Sequence, residues 1–217
     1  VNGLLVSLDV GGTLAVTQAP GPLTLLAAAS PLRPAQALGL LRARLHTCPV
    51  VTDAVVAQVC ADLEIPRGAF VGTSQPPSLR LLPGVDEALR AMSGIATLVT
   101  LSNVTPLEAD TDQLRRLLHP WVQACFTSCD LQVAKPDPAA FRAVAAAYGT
   151  NCGRMVHIGD DWACDVVGAR NAGAAAIWIS GGRQVPCPRP SDPGVVIVDD
   201  LASAAQYLTT IESERPA

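Results

Sequence analysis

Five near-continuous apolar runs recur along the chain: Leu4 to Leu8, Ala96 to Leu101, Met155 to Ile158, Ala175 to Ile179 and Val195 to Val198. A shorter one, Cys125 to Ser128, lies between the second and third. Runs of this length without a polar face read as strands buried on both sides. The stretches between them are rich in Ala, Leu and Val and read as helices. These run from Pro83-Gly84-Val85 to about Met92, over 106–118, and from Lys135-Pro136-Asp137-Pro138 to about Tyr148. Two more run from about Cys164 to Asn171, closing at Gly173, and from Asp199-Asp200 to about Ile211. Strands alternating with helices imply an α/β fold: a mostly parallel sheet with helices on both faces.

The stretch from Ala15 to about Ser78 breaks that rhythm. It predicts helices over 22–30, 34–46 and 52–63, with Pro34 in a first turn and Thr52 or Asp53 as a cap. No strand is evident there, and Thr73 to Ser78 reads as a stiff Pro-rich connector. The expected organisation is a core of residues 1–15 and 80–217 carrying an all-helical insert, residues 16–79. Arg33, Arg42 and Arg44 fall in that insert and read best as solvated positions.

Composition narrows the class. The chain has 217 residues, 49% hydrophobic and 16% charged, which suits one α/β core plus a small insert. A net charge of -4 and the lack of a basic cluster argue against a nucleic-acid partner. No run is long enough to span a bilayer, and the first strand lacks the basic flank of a signal peptide. Seven scattered cysteines without a C-x-x-C pair suggest buried thiols in a reduced, cytoplasmic protein. The pattern specifies no oligomeric state. Lys135 is the only lysine among fifteen basic residues, the rest being arginine. A lone lysine in such a chain marks a position that needs a compact ammonium.

In parallel sheets ligands sit beyond the carboxyl ends of the strands. The residues there are Asp9, Ser102-Asn103 and Asp160-Asp161, and Lys135 opens the helix after another short strand. Clustered carboxylates call for a cation, and hard oxygen donors suit Mg²⁺, with Asp9 and Asp160 as the pair. A carboxylate beside Mg²⁺ and a lysine can attack phosphorus. Ser102 and Lys135 would then hold the transferred group, and Asp165 would orient Lys135. The Gly11-Gly12 turn would offer backbone N–H groups. Each residue also has a plain use: Ser102, Asp160, Asp161 and Asp165 all stand where helix caps or first-turn acids stand. Trp162 lines the pocket mouth or packs.

Asp9-Val10-Gly11-Gly12-Thr13-Leu14, Ser102-Asn103, Lys135-Pro136-Asp137-Pro138 and Gly159-Asp160-Asp161-x-x-x-Asp165, in that order, resemble the haloacid dehalogenase-like hydrolase superfamily. The helical insert is similar to the C1 cap of its phosphatase branch. The resemblance implies a Rossmann-like three-layer core with a mobile helical cap. It implies Asp9 as a nucleophile forming an aspartyl intermediate. It implies Mg²⁺ on Asp9, Asp160 and the Gly11 carbonyl, with Asp161 a further candidate. Ser102, Asn103, Lys135, Gly12 and Thr13 become the phosphate-binding set, and the substrate a small phosphorylated metabolite. One position departs. The family's phosphatases carry a second Asp, the general acid and base, where this chain has Gly11. The substrate then has a good leaving group such as an acyl phosphate, or another residue (Thr13, Thr17 or one from the cap) stands in, or the protein binds a phosphorylated ligand or a partner and scarcely turns over. Dehalogenation also needs no acid, but Gly159-Asp160-Asp161 does not suit the metal-free dehalogenases.

Overall fold

Strand β1 (Leu4–Leu8) lies at the middle of a six-stranded parallel sheet. The computed structural model describes residues 3–70, 77–184 and 192–214. Thr73 to Pro76 of the expected connector, Cys187 and residues 185–191 of the loop before the last strand lie outside them. After β1 the chain forms β2 (Ala15–Thr17), then α1 (Pro22–Ala29), α2 (Pro34–Leu45) and α3 (Asp53–Asp62), and returns through β3 (Leu79–Leu81). It continues as α4 (Val85–Ser93), β4 (Ala96–Ser102), α5 (Thr111–Leu118), β5 (Val122–Thr127), the single turn α6 (Ser128–Leu131) and α7 (Pro138–Ala147). Strand β6 (Met155–Gly159), a π-helical stretch at Trp162–Val167, α8 (Gly168–Ala172), β7 (Ala175–Ile179), β8 (Val195–Val198) and α9 (Leu201–Ser213) complete it.

The sheet order is β5-β4-β1-β6-β7-β8. The chain builds outward from β1 on one side, then crosses back to build on the other. The reversal leaves a crevice at the carboxyl ends of β1, β4 and β6. Side chains alternate between two cores. Val6, Leu8, Leu98 and Ile158 pack under α4, α5 and α9, while Leu5, Val99, Met155 and Trp178 pack under α7 and α8. Both faces are therefore apolar, as a parallel sheet covered on both sides requires. The result is the expected three-layer, Rossmann-like α/β architecture.

The insertion has its own hydrophobic cluster, including Leu26, Leu41, Leu45 and Leu63, which Leu107 joins from the segment after β4. Pro22 and Pro34 sit in first helical turns, and the Thr52 hydroxyl caps α3 by accepting from Val55 N–H at 3.3 Å. Strands β2 and β3 pair antiparallel at its base. Three-residue strands leave no periodicity to read, which is why none was expected there. The helix expected over 106–118 starts late, at Thr111, because Asp110 caps it through Gln113 N–H at 2.8 Å and residues 104–110 form a turn instead. Among the described residues the six cysteines are free, and no helix is long and apolar enough to cross a membrane.

Candidate active site

Asp9 follows β1 directly, and its N–H extends the ladder to the Ile158 carbonyl at 2.8 Å. This fixes the carboxylate at the sheet edge. Lys135 reaches it from the loop before α7. Its Nζ donates to Asp9 Oδ1 and to Asp165 Oδ1, both at 2.7 Å, with the side chain only 2% exposed. A guanidinium is too broad for that slot between two carboxylates, so the chain's single lysine is explained. The Lys135 backbone is itself clamped. Asn103 Oδ1 accepts from its N–H at 2.8 Å, and Asn103 Nδ2 donates to its carbonyl at 2.7 Å.

The π-helical stretch after β6 sets Asp165. Asp161 caps it by accepting from Cys164 N–H, and Asp165 Oδ2 accepts from Asp161 N–H at 2.9 Å. A Cβ on Gly159 would overlap the Asp165 carboxylate, so the close approach needs glycine. Behind Asp165 stands His157, wholly buried in β6. His157 Nε2 meets Asp165 Oδ1 at 3.1 Å and Nδ1 meets Ser7 Oγ at 2.9 Å, from the register partner on β1. A carboxylate only accepts, so Nε2 carries the proton and Nδ1 accepts from the Ser7 hydroxyl. Phe141 abuts the ring edge-on at 5.1 Å. Sequence reasoning missed His157, because one histidine in an apolar strand looks like a core residue.

The charges settle accordingly. Burial opposes ionisation of Asp165, but Lys135 and His157 outweigh it and hold its carboxyl well below the usual range. Burial likewise opposes the Lys135 charge, and the two carboxylates overcome it and raise its pKa. Burial and the neighbouring Lys135 keep His157 neutral. Asp9 has Lys135 alone as donor, so burial and the Asp165 charge push its carboxyl upward. Burial and Asp165 also raise Asp160. Asp160 is held from both sides. Trp178 Nε1 donates to its carbonyl at 2.9 Å, and Arg183, stacked over the Trp178 ring, lies 3.3 Å from Oδ2. Arg183 was not foreseen, since it stands in a Pro/Gly-rich loop with no motif. Trp162 packs edge-on against Trp178 at 5.1 Å.

Oxygens of Asp9, Asp160 and Asp165 lie within 4.8 Å of one another. Three carboxylates against one buried ammonium leave a deficit of positive charge, and hard oxygen donors suit Mg²⁺. Both Asp165 oxygens are committed to protein donors, which leaves Asp9 and Asp160 as the pair with room for a cation.

A cavity of about 650 Å³ opens over this cluster, walled by Ser102, Asn103 and Gly11 below and by Leu23, Leu38, Arg42 and His46 of the insertion. The phosphate-binding expectation for Gly12 and Thr13 is corrected here. The N–H groups of Gly12 and Thr13 are spent inside the turn, on the carbonyls of Ala15 at 3.0 Å and Val10 at 3.4 Å, so they are not free for a ligand. Thr13 is 2% exposed, and neither it nor Gly12 is among the described residues lining the cavity. The Asn103 side chain positions Lys135 with its Oδ1 and one Nδ2 N–H, and Asn103 lines the cavity with the second N–H of that amide unspent. Gly12 has another role: φ is +79°, and a Cβ would come within 2.8 Å of Asp160 Oδ2. Arg42 is exposed, as expected of a solvated face, and also lines the cavity, whereas Arg44 pairs with Asp62 on the surface.

A family model described as haloacid dehalogenase-like hydrolase matches residues 5–173. A phosphoserine phosphatase of Thermus thermophilus is 38% identical over 66 residues, 30% of this chain and 24% of that protein. A phospholysine phosphohistidine inorganic pyrophosphate phosphatase of Danio rerio is 29% identical over 133 residues, 58% of this chain and 49% of that protein. The chain thus aligns with half or less of the length of these relatives. The crystal structure of a 2-haloacid dehalogenase from Pseudomonas syringae superposes with a TM-score of 0.67 at 20% identity, covering 96% of this chain and 99% of that one, and so shares its fold. With the match of the family model over most of its length and the same fold, the chain belongs to the haloacid dehalogenase-like hydrolases.

Proposed function

We propose that the protein is a Mg²⁺-dependent phosphohydrolase that transfers a phosphoryl group from a small phosphorylated metabolite to Asp9 and then to water. The observation that carries this is the buried Asp9–Lys135–Asp165 array at the sheet edge, with 2.7 Å contacts and a neighbouring carboxylate, Asp160, beneath a cavity of small-molecule size. The phosphatase names of two relatives point the same way. Asp9, Asp160 and the Gly11 carbonyl would hold Mg²⁺. When bound, the ion supplies charge stabilisation for the transferring group.

The protein's own residues supply the rest. Lys135 fixes one Asp9 oxygen and leaves Oδ2 to attack phosphorus. As the Asp9–phosphorus bond forms, the bond to the leaving oxygen breaks. Lys135 and the Ser102 hydroxyl offset the charge on the non-bridging oxygens. Asp165, His157 and Asn103 keep Lys135 charged and in place. Water then bonds to phosphorus, the Asp9–phosphorus bond breaks, and inorganic phosphate leaves with the proton of the water, restoring Asp9. The insertion roofs the cavity and acts as the cap, keeping bulk water from the phosphoenzyme.

The test is phosphate release from a panel of phosphate esters and acyl phosphates, with Mg²⁺ and with chelator. Release that needs Mg²⁺ and is lost in Asp9→Asn is expected. Ligand binding without release from any substrate would favour a silent binding protein, a reading that Gly11 supports. Chloride release from a 2-haloacid without metal would replace the proposal with dehalogenation.

A further inference from the structure

The Asp160 carboxylate is offered a cation by the protein itself. Arg183 Nη2 lies 3.3 Å from Asp160 Oδ2, and among the described residues no other hydrogen bond or ion pair reaches that carboxylate. The guanidinium is held in place. Nε donates to the Ser180 carbonyl and Nη2 to the Ile179 carbonyl, both at 2.8 Å, and the group lies 5.7 Å from the centre of the Trp178 ring. The turn beneath it is pinned in its own right. Ser180 Oγ donates to Asp199 Oδ1 at 3.0 Å and accepts from the Gly182 N–H at 3.3 Å. The Trp178 ring that carries the guanidinium also fixes Asp160, because Nε1 donates to its carbonyl at 2.9 Å. Arg183 therefore has a built seat on the cavity wall, which it shares with Asp9, Lys135 and Asp160.

Asp160 is also one of the two carboxylates with room for Mg²⁺, so its Oδ2 has two claimants. A guanidinium stays charged at every accessible pH, and no change of protonation removes it. It opposes a divalent ion twice, by holding Oδ2 and by its own positive charge beside the site. Releasing Asp160 costs Arg183 one contact; the two carbonyls and the Trp178 ring keep it seated.

Resting on the reading of Asp9 and Asp160 as the Mg²⁺ pair, we propose that Arg183 is the resident counter-ion of the metal site. It neutralises Asp160 in the metal-free protein and weakens Mg²⁺ binding by competing for Oδ2. The site is thereby tuned to respond to Mg²⁺ concentration and not to hold the ion permanently.

The experiment titrates the full chain with Mg²⁺ alone, by calorimetry and by Tm, and so reads no turnover. Arg183→Gln is expected to lower the Mg²⁺ Kd about fivefold, the upper scale for an ion pair whose arginine is 51% exposed. Arg183→Lys keeps the charge and should move Kd less. Arg44→Gln removes a cation from the surface pair with Asp62 and should leave Kd within twofold of wild type. A metal-free cycle separates a counter-ion from a loop anchor. Arg183→Gln should lower Tm in the wild type, and lower it less in Asp160→Asn, where no charge remains to neutralise. An unmoved Kd, or equal Tm losses in the two backgrounds, overturns the proposal and leaves the Mg²⁺ reading standing. A Kd raised by Arg183→Gln overturns it as well, because the guanidinium then presents the carboxylate to the ion. A matching shift in Arg44→Gln assigns the effect to net charge and also overturns it. A wild-type chain that does not bind Mg²⁺ overturns both readings.

Discussion

At Lys135 one ammonium serves two buried carboxylates, so its removal takes the cation from both and leaves Asp165 only His157 and the Asp161 N–H. Breaking a buried pair in this way costs about 3–5 kcal/mol. Lys135→Met is expected to lose that much stability at neutral pH, measured by denaturant unfolding. The pH dependence has a definite sign. Asp165 has a depressed carboxyl pKa, so the stability it contributes is complete above the ordinary aspartate value of 3.8 and is lost as pH falls through its folded value. The gap between wild type and Lys135→Met should therefore narrow below about pH 4. Gly11 presents the opposite case, a position with room to spare. Its φ is not in the left-handed region and its Cβ direction is open, so Gly11→Asp fits without strain. If the missing acid limits the enzyme, this variant gains ~10²–10⁴-fold on glycerol 1-phosphate. An unchanged rate in a folded variant would show that the limit lies elsewhere. Lys135 was legible because the chain uses arginine everywhere else. Gly11 was legible against a motif. His157 was not, since its hydrogen bonds join residues 150 and 8 positions away, and no local pattern records them.

The strand and helix boundaries were read well where burial imposes a period and poorly where a single contact decides. The apolar runs at β1, β4, β6, β7 and β8 stand where expected, because a strand covered on both faces leaves an unmistakable signature. The π-helical stretch was read as a later, ordinary helix. Its extra width comes from the Asp165 carboxylate turning back to Asp161 N–H, a tertiary constraint. The start of α1 shows the same dependence on distant residues. Gly21 at its N-cap has no side chain to offer, and the Glu108 carboxylate, from the segment after β4, lies against it, where the Leu23 N–H favours its charge. Leu107 beside it is buried in the cluster of the insertion. This turn therefore ties the roof of the cavity to the sheet edge that carries Ser102. Glu108→Ala should cost about 0.5–2 kcal/mol, the range for losing a helix cap. The loss should be local: hydrogen exchange is expected to quicken across α1 and not across β6. Uniform quickening would mean that Glu108 supports the whole fold.

At the scale of the molecule, the site is a place where two separately packed bodies enclose uncompensated charge. Asp160 and Asp9 are both pushed toward protonation by burial, and Arg183 is a partial remedy for Asp160 at a part-exposed position. The folded chain thus carries an electrostatic cost that a divalent cation would relieve, whereas the unfolded chain, with its carboxylates apart in water, would bind that cation weakly. A ligand that binds only the folded state stabilises by about 2.7 kcal/mol at a hundred times its Kd. For a chain of this size each kcal/mol moves Tm by roughly 2–4 °C. Mg²⁺ at saturating concentration is therefore expected to raise Tm by several degrees, with chelator reversing the rise. Asp160→Asn has a two-part signature. It removes a charge that burial disfavours, so the metal-free variant should match or exceed wild type in Tm, and it removes the proposed ligand, so the Mg²⁺ increment should vanish. Loss of stability with the increment intact would mean that Asp160 serves packing and that the cation binds elsewhere. Gly12→Ala separates geometry from charge, because its Cβ presses on Asp160 Oδ2 while no carboxylate is removed. A smaller Mg²⁺ increment there would tie metal affinity to the turn that follows β1, and so to the segment that carries the proposed nucleophile Asp9.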